Sequence, residues 1–368
     1  MVKVLVAMSG GVDSLMAAAL LVEQGHDITG VHLKMAATPS GLPGKGCCTL
    51  DDARDARRVA DRLGIAFAVW DFSAAFAERV VDDFVSEYEA GRTPNPCVRC
   101  NERVKYAALL DRARAVGFDA LATGHHVRLR RDDDGTAHLW RAADADKDQT
   151  YVLYMADQRQ LVATLWPVGE YRKSSLRAMA AERGLLTAAK PDSSDICFIP
   201  DGDLAGFLRP RLGQRAGSFV GPDGLTLGGH DGAYRFTVGQ RRGLGLSGRS
   251  EPLYVTAIDG RQVHVGGRER LRCKRLLARG VSWIAGHPPI TGHQPIAEHP
   301  LLAGIGLTAQ VRYRGRPLRC EADIVGDVAQ VRFPDEQPES VATGQAVVFY
   351  SGRECLGGGT ITKSWPVT

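Results

Sequence analysis

Nowhere in the 368 residues does an apolar run approach the ~20 needed to span a bilayer. The start, Met1-Val2-Lys3-Val4-Leu5-Val6-Ala7, is too short for a signal-peptide core and runs straight into glycines. It reads as a buried first strand, and a cytoplasmic, monomeric protein with no membrane partner is expected. A disulfide framework is excluded as well. Eight cysteines, at 47, 48, 97, 100, 197, 273, 320 and 355, are too sparse for a secreted scaffold of this size. Two familiar nucleotide signatures are missing: no lysine follows the first glycines as in a Walker A loop, and Gly-x-Gly-x-x-Gly does not occur there. There is no internal repeat and no low-complexity tail.

What is present is an α/β first half. Apolar strands at Val2–Met8, Ile28–Leu33, Ile65–Trp70 and Asp119–Thr123 alternate with helical stretches at Asp13–Gln24, Asp51–Leu63, Ser73–Ala90 and Val104–Val116. That alternation predicts a parallel sheet. After about residue 200 helical periodicity gives way to short alternating runs: Tyr234–Val238, Leu253–Ile258, Gln262–Val265, Leu307–Tyr313, Val328–Phe333 and Gln345–Tyr350. Turn pairs such as Asp223-Gly224 and Asp259-Gly260 separate them. The length calls for two or three domains, expected at 1–205 (α/β), 206–275 (a small central β-rich module) and 276–368 (a C-terminal β-barrel). Arg130-Arg131-Asp132-Asp133-Asp134-Gly135 reads as a hairpin tip.

Between the first strand and the first helix stands Ser9-Gly10-Gly11-Val12-Asp13-Ser14. Glycines allow close backbone approach, successive N–H groups form an anion nest, and the helix start adds its dipole and unpaired donors. Ser9 and Ser14 supply hydroxyls for phosphate oxygens. The hexapeptide resembles the PP-loop of ATP pyrophosphatases, whose chemistry is attack on the α-phosphorus of ATP with release of pyrophosphate. That resemblance implies a Rossmann-like PP-loop domain, ATP as cosubstrate and Mg2+ bridging its phosphates, although no carboxylate ligand for the metal is identifiable.

Cys97 and Cys100 lie in Pro94-Asn95-Pro96-Cys97-Val98-Arg99-Cys100-Asn101, expected as a proline-held loop between helices, with Arg99 and Lys105 favouring thiolate. Cys197 lies in Asp192-Ser193-Ser194-Asp195-Ile196-Cys197-Phe198-Ile199, ahead of a strand-like tail. A structural zinc site would need two further ligands, and no second Cys-x-x-Cys pair exists. Cys97, Cys100 and Cys197 as ligands of an iron–sulfur cluster with one open iron remain an alternative. So does a two-thiol sulfur relay through Cys100 and Cys197. Cys273, Cys320 and Cys355 sit singly among apolar or basic residues and read as packing.

Motifs spread over the whole chain resemble one family, the bacterial tRNA-specific 2-thiouridylases. They are Ala7–Ser14, Gly91-Arg92-Thr93-Pro94-Asn95-Pro96, Ala122-Thr123-Gly124-His125, Lys147-Asp148-Gln149 and Ile196-Cys197-Phe198-Ile199. Gly239-Gln240-Arg241-Arg242-Gly243-Leu244-Gly245, Arg312-Tyr313-Arg314 and Cys355-Leu356-Gly357-Gly358-Gly359 complete the series. The resemblance implies ATP-dependent thiolation at C2 of the wobble uridine in tRNAs for Lys, Glu and Gln. It gives Cys100 the nucleophile role, Cys197 the persulfide, and a Cys100–Cys197 disulfide after turnover. ATP contacts fall on Ala7, Met8, Ser9, Gly10, Gly11, Val12, Asp13, Ser14, Leu33 and Gly124. Asn95, Pro96 and Cys97 would face the base, and His125, Lys147, Asp148, Gln149, Arg312, Tyr313 and Gln345 the tRNA. A persulfide-donating carrier or cysteine desulfurase is the implied partner. Two positions depart from the pattern: Cys97 stands where some members carry Asp, and Asp195 where some carry Gly.

From Phe207 to Arg249 there are seven Arg against two Asp, a local excess larger than the whole-chain charge of +4. A basic, glycine-rich stretch suits salt-sensitive contacts to RNA phosphates. His26, His138 and His264 are expected to be surface or packing residues. Two rival functions are an amidoligase of the same loop class acting on a small carboxylate, and a non-catalytic RNA-binding protein; neither needs the paired thiols.

Overall fold

The computed structural model describes residues 1–35, 50–185, 187, 188, 190, 196–246, 251–285 and 306–366. Cys47, Cys48, Asp192 to Asp195, Arg249 and the proline pair at 288 and 289 lie outside the described residues.

The first half folds as its alternation requires. Strands β1 (Lys3–Ala7), β2 (Asp27–Lys34), β3 (Ala66–Asp71), β4 (Ala120–Ala122), β5 (Val127–Arg131), β6 (Ala137–Arg141) and β7 (Thr164–Leu165) are interleaved with helices. The helices are α1 (Val12–Glu23), α2 (Leu50–Leu63), α3 (Ser73–Phe76), α4 (Asp82–Glu89), α5 (Pro96–Cys100), α6 (Leu110–Ala115), α7 (Gln158–Val162) and α8 (Lys173–Glu182). π-helical turns at Ala77–Val81 and Asn101–Leu109 join α3 to α4 and α5 to α6. Five strands form a parallel sheet in the order β3-β2-β1-β4-β7. Side chains of β1 alternate between its faces. Val4 and Val6 pack with Leu15, Met16, Val59 and Leu176 of α1, α2 and α8, whereas Leu5 packs with Phe76, Val80, Val104 and Leu109 on the other side. The chain moves outward from β1 to β3, then returns beyond β1 to β4. That reversal opens a crevice at the carboxyl ends of β1 and β4, where ligands of such sheets bind.

β5 and β6 form the expected hairpin, closed by Asp132 N–H donating to Thr136 O (3.0 Å) and Gly135 N–H to Asp132 O (2.9 Å). After α9 (Leu204–Leu212) come β8 (Gly217–Val220), β9 (Thr226–His230), β10 (Tyr254–Asp259) and β11 (Gln262–Gly266), a small sheet ordered β10-β11-β8-β9. The strand expected at Tyr234–Val238 is instead a single 3₁₀ turn, Ala233–Arg235. Its apolar residues serve two different cores: Tyr234 packs with Phe84 and Leu208, and Phe236 with Phe219 and Val263. No strand partner is needed.

The last strands are β12 (Cys273–Trp283), β13 (Leu307–Gln310), β14 (Leu318–Arg319), β15 (Glu321–Val325), β16 (Val328–Arg332), β17 (Ala346–Ser351) and β18 (Glu354–Pro366). They pair antiparallel in the order β14-β13-β17-β18-β12-β16-β15, a curled half-barrel. β6 of the first half adds to this sheet through β18, pairing Trp140 with Glu354 and Leu139 with Cys355. The buried Ile284, Ala346, Val348, Tyr350 and Cys355 then join Leu5, Val104 and Tyr151 in one hydrophobic cluster. The expected division at 205/206 falls inside α9, and that at 275/276 inside β12. Among the described residues no helix is long and apolar enough to cross a membrane.

Candidate active site

The glycine turn lies at the crevice between β1 and β4. Ser14 organises it: its Oγ accepts from Ser9 N–H (3.0 Å), lies 3.2 Å from Ser9 Oγ, and donates to Gly11 O (3.0 Å). Gly11, at the N-cap of α1, has no side chain with which to satisfy the first-turn N–H groups, so these donors suit an incoming anion. Gly124 comes against the same turn from the end of β4. A Cβ there would lie 2.5 Å from the Ser14 nitrogen, so only glycine permits the approach. Met8 and Leu33 are buried beneath, with Met8 O 2.9 Å from His32 Nδ1.

Asp13 has the most constrained side chain of the turn. One oxygen is 3.0 Å from His126 Nε2, and the other accepts from Lys173 Nζ at 2.6 Å. Burial opposes ionisation of Asp13, but His126 and Lys173 outweigh it and hold the carboxyl below its ordinary range. Neither partner was singled out in the sequence. His126 follows the expected residue by one position, and consecutive side chains of an extended segment point to opposite sides. His125 accordingly turns away, with Nδ1 2.8 Å from Thr123 Oγ1 and 3.0 Å from Tyr106 OH. Burial pushes its pKa well below that of an ordinary histidine, with Lys105 and His126 contributing, so it is neutral near pH 7. Lys173 lies 160 residues from Asp13 and carries no local motif; only the fold reveals it.

The segment expected as a loop around Cys97 is a helix start. Asn95 caps it by accepting from Cys97 N–H (3.1 Å) and Val98 N–H (3.4 Å), and Pro96 occupies the first turn. Asn followed by Pro is a helix-initiating pair. Cys97 is exposed in the first turn, and Cys100 is half-buried one turn further on. Arg99 cannot serve as a spare cation: it pairs with Glu102 (2.9 Å) and Asp83 (3.5 Å). Ile196–Ile199 is also not a strand but a turn, closed by Ile199 N–H to Ile196 O (3.1 Å). It is pinned by Phe198, whose ring meets Phe84 edge-on at 5.2 Å and Phe76 at 5.8 Å. Cys197 is half-buried there, and Cys100 and Cys197 pack against the same hydrophobic cluster. Among the described residues no three or more His, Cys, Asp or Glu side chains gather in a way that could hold a metal ion. Among the described residues Cys97, Cys100 and Cys197 therefore do not form a ready set of cluster ligands, and no carboxylate set presents itself for Mg2+. Cys273, Cys320 and Cys355 are buried, and burial pushes Cys273 up to about 11 and the other two higher.

The residues expected to meet RNA divide into outward and inward groups. Tyr313, its ring tilted at 45° to that of Tyr151 with centroids 6.1 Å apart, lies within electrostatic reach of Cys97, and Arg312 beside it is exposed. The Asp148 side chain is only 5% exposed and is spent on Arg141 (2.7 Å), Thr150 (2.7 Å) and the Ala142 N–H (3.0 Å). Gln149 Oε1 accepts from His126 N–H (2.8 Å), which ties the segment to the phosphate turn. Lys147 is half-buried at its start. Gln345 Nε2 donates to Thr93 O (2.8 Å), just ahead of the cysteine helix. Arg209, Arg211, Arg215, Arg235, Arg241 and Arg242 are all exposed.

A parallel sheet with a glycine turn at its switch point, whose first-turn donors suit an anion, and a thiol-bearing helix over the same core has the arrangement of a nucleotide-binding α/β domain. Family models match the chain in three consecutive parts. They are a tRNA methyl transferase HUP domain over residues 2–201, a tRNA methyl transferase PRC-barrel domain over 205–266 and an aminomethyltransferase beta-barrel domain over 274–361. Full-length relatives are named tRNA-specific 2-thiouridylase MnmA. That of Streptomyces avermitilis is 47% identical, covering 98% of this chain and 95% of its own. Those of Acidothermus cellulolyticus and Mycobacteroides abscessus are each 48% identical over 98% of this chain and 98% and 99% of theirs. The chain belongs to the MnmA family of tRNA-specific 2-thiouridylases.

Proposed function

We propose that the protein is an ATP-dependent tRNA-uridine 2-sulfurtransferase acting in the cytoplasm on the wobble uridine of tRNAs for Lys, Glu and Gln. The observation that carries this reading is the pairing of two devices on one core: a phosphate turn at the sheet's switch point, and two half-buried thiols, Cys100 and Cys197, on that sheet's neighbouring face.

Uracil C2 is a poor electrophile because its oxygen leaves badly. Attack of that oxygen on the α-phosphorus of ATP, with pyrophosphate leaving into the Ser9–Ser14 turn, converts it into a good leaving group. The terminal sulfur of a Cys197 persulfide attacks C2 and AMP departs. Cys100 thiolate attacks the inner sulfur, completing a Cys100–Cys197 disulfide that an external thiol must reduce by two electrons. A sulfur carrier or desulfurase reloads Cys197. Mg2+ carried in with ATP would supply charge neutralisation on the phosphates. The base must leave its stack to reach the cysteine helix, which suits a single-stranded anticodon loop. Tyr313, within electrostatic reach of Cys97, offers an aromatic face for it.

The test is 2-thiouridine formation by iron-free protein with ATP, tRNA and a persulfide donor. Cys100→Ala and Cys197→Ala should each abolish product while tRNA binding persists. Normal thiolation by either variant would sink the relay.

A further inference from the structure

Lys173 is in the wrong place for a structural lysine. It is the first residue of α8, where the positive end of the helix dipole disfavours an ammonium, and its side chain is only 10% exposed. The first turn of α8 itself contains no acidic residue, and the carboxylate at its start, Asp144, accepts from the Lys173 backbone N–H at 2.9 Å. The ammonium itself reaches Asp13, a member of the glycine turn, at 2.6 Å. Packing alone does not call for a buried cation at this position.

The turn, for its part, lacks a cation. Ser9 to Ser14 contains no Lys or Arg, yet a triphosphate brings about four negative charges beside the Asp13 carboxylate. Lys190 is committed elsewhere, to Asp52 (2.7 Å) and Asp55 (2.9 Å). We infer that Lys173 is the phosphate-binding lysine of this site: it supplies from α8 the cation that the glycine turn does not encode. Asp13 and His126 hold it at the mouth of the turn until the polyphosphate of ATP arrives. Asp13 is fixed on its other oxygen by His126, so the ammonium can reach toward phosphate without the carboxylate following it. The ligand class is a nucleoside triphosphate or pyrophosphate, because the turn and the α1 N-terminus form a pyrophosphate cradle rather than a base pocket.

This inference rests on the ATP reading above, and the experiment separates the two. ATP, pyrophosphate and AMP affinities are measured by equilibrium dialysis for the wild type, Lys173→Met and the charge-balanced Asp13→Asn/Lys173→Met double variant. Thermal melting without nucleotide serves as the folding control. One charge-assisted contact predicts about ten- to hundred-fold weaker ATP and pyrophosphate binding, with AMP changed less than about two-fold. The ATP-to-AMP affinity ratio therefore collapses in both variants, which general loosening of the site cannot produce. Unchanged ATP affinity, or equal loss for ATP and AMP, overturns the role of Lys173. A wild-type protein that binds none of the three ligands overturns the ATP reading and this inference together.

Discussion

Gln345 separates two explanations of how the C-terminal half-barrel serves the reaction. Family resemblance places it against tRNA, whereas the fold places it against the protein. Its Nε2 donates to Thr93 O at 2.8 Å, Thr93 N–H donates to Thr343 O at 2.8 Å, and Gly344, at φ +88°, brings its Cα to the Thr93 backbone. A Cβ on Gly344 would meet three Thr93 backbone atoms at 3.0 Å. Thr93 is two residues from Asn95, the cap of the cysteine helix, so the half-barrel holds that helix start in place. Gln345→Ala removes the donor and leaves a half-buried carbonyl unpaired, a cost of about 1–3 kcal/mol. That raises the opening equilibrium of residues 93–98 roughly five- to hundred-fold. Hydrogen exchange over those residues should quicken accordingly. Single-turnover thiolation should slow, and the tRNA Kd should stay within about two-fold of wild type. Gly344→Ala should reproduce the pattern by pushing the two strands of chain apart. Unchanged exchange with weakened tRNA binding would refute the clamp and return Gln345 to the RNA interface.

Two further outcomes follow from titratable groups. His138 bridges the β5–β6 hairpin tip to β18, 2.9 Å from Asp132 and 2.7 Å from Glu354. Burial works against its protonation, but Glu354 and Asp132 outweigh it and raise its pKa above the ordinary 6.5. The folded value exceeds the unfolded one, so the stabilisation is complete below about 6.5 and fades as pH rises through the folded value. Tm should fall between pH 6 and pH 8 by more in the wild type than in His138→Gln, and parallel profiles would contradict the bridge. Brief maleimide labelling of native protein should modify Cys97 and spare Cys320 and Cys355, which are 3% and 0% exposed. Rapid native labelling of Cys355 would show that its core opens.

Local chemistry was legible wherever the chain makes its own neighbours. The glycine turn, the strand–helix alternation and the hairpin tip at Asp132–Gly135 depend on contacts within about ten residues, and each formed where the residues required. The cysteine helix was legible too, in Asn95-Pro96, but the prolines of that stretch also fit a loop. Its capping bonds decide the matter. What stayed hidden depends on long separations. Lys173 meets Asp13 across 160 residues, and Gln345 meets Thr93 across 252. The Tyr234 turn was misjudged because alternation reports burial on two sides without naming the two cores.

The long-range contacts share a direction, and that carries the argument further than any single bond. Thr93 is held by Thr343 and Gln345 just ahead of β17, Tyr151 OH donates to Ala346 O (2.8 Å), and Thr150 Oγ1 lies 3.2 Å from Tyr350 OH. Asn101, directly after the cysteine helix, donates to Val152 O (2.8 Å), and Gln149, in the same stretch as Val152, accepts from the N–H of His126 beside Asp13. A continuous set of hydrogen bonds therefore runs from the half-barrel through residues 149–152 to both the thiol helix and the phosphate turn. The half-barrel is not an appended RNA handle, since removing it would leave Ala346, Val348 and Tyr350 of the shared core without their counterparts. Adenylation and sulfur transfer need their two devices in one fixed geometry, and residues 149–152, packed under the half-barrel, are a piece of chain that touches both.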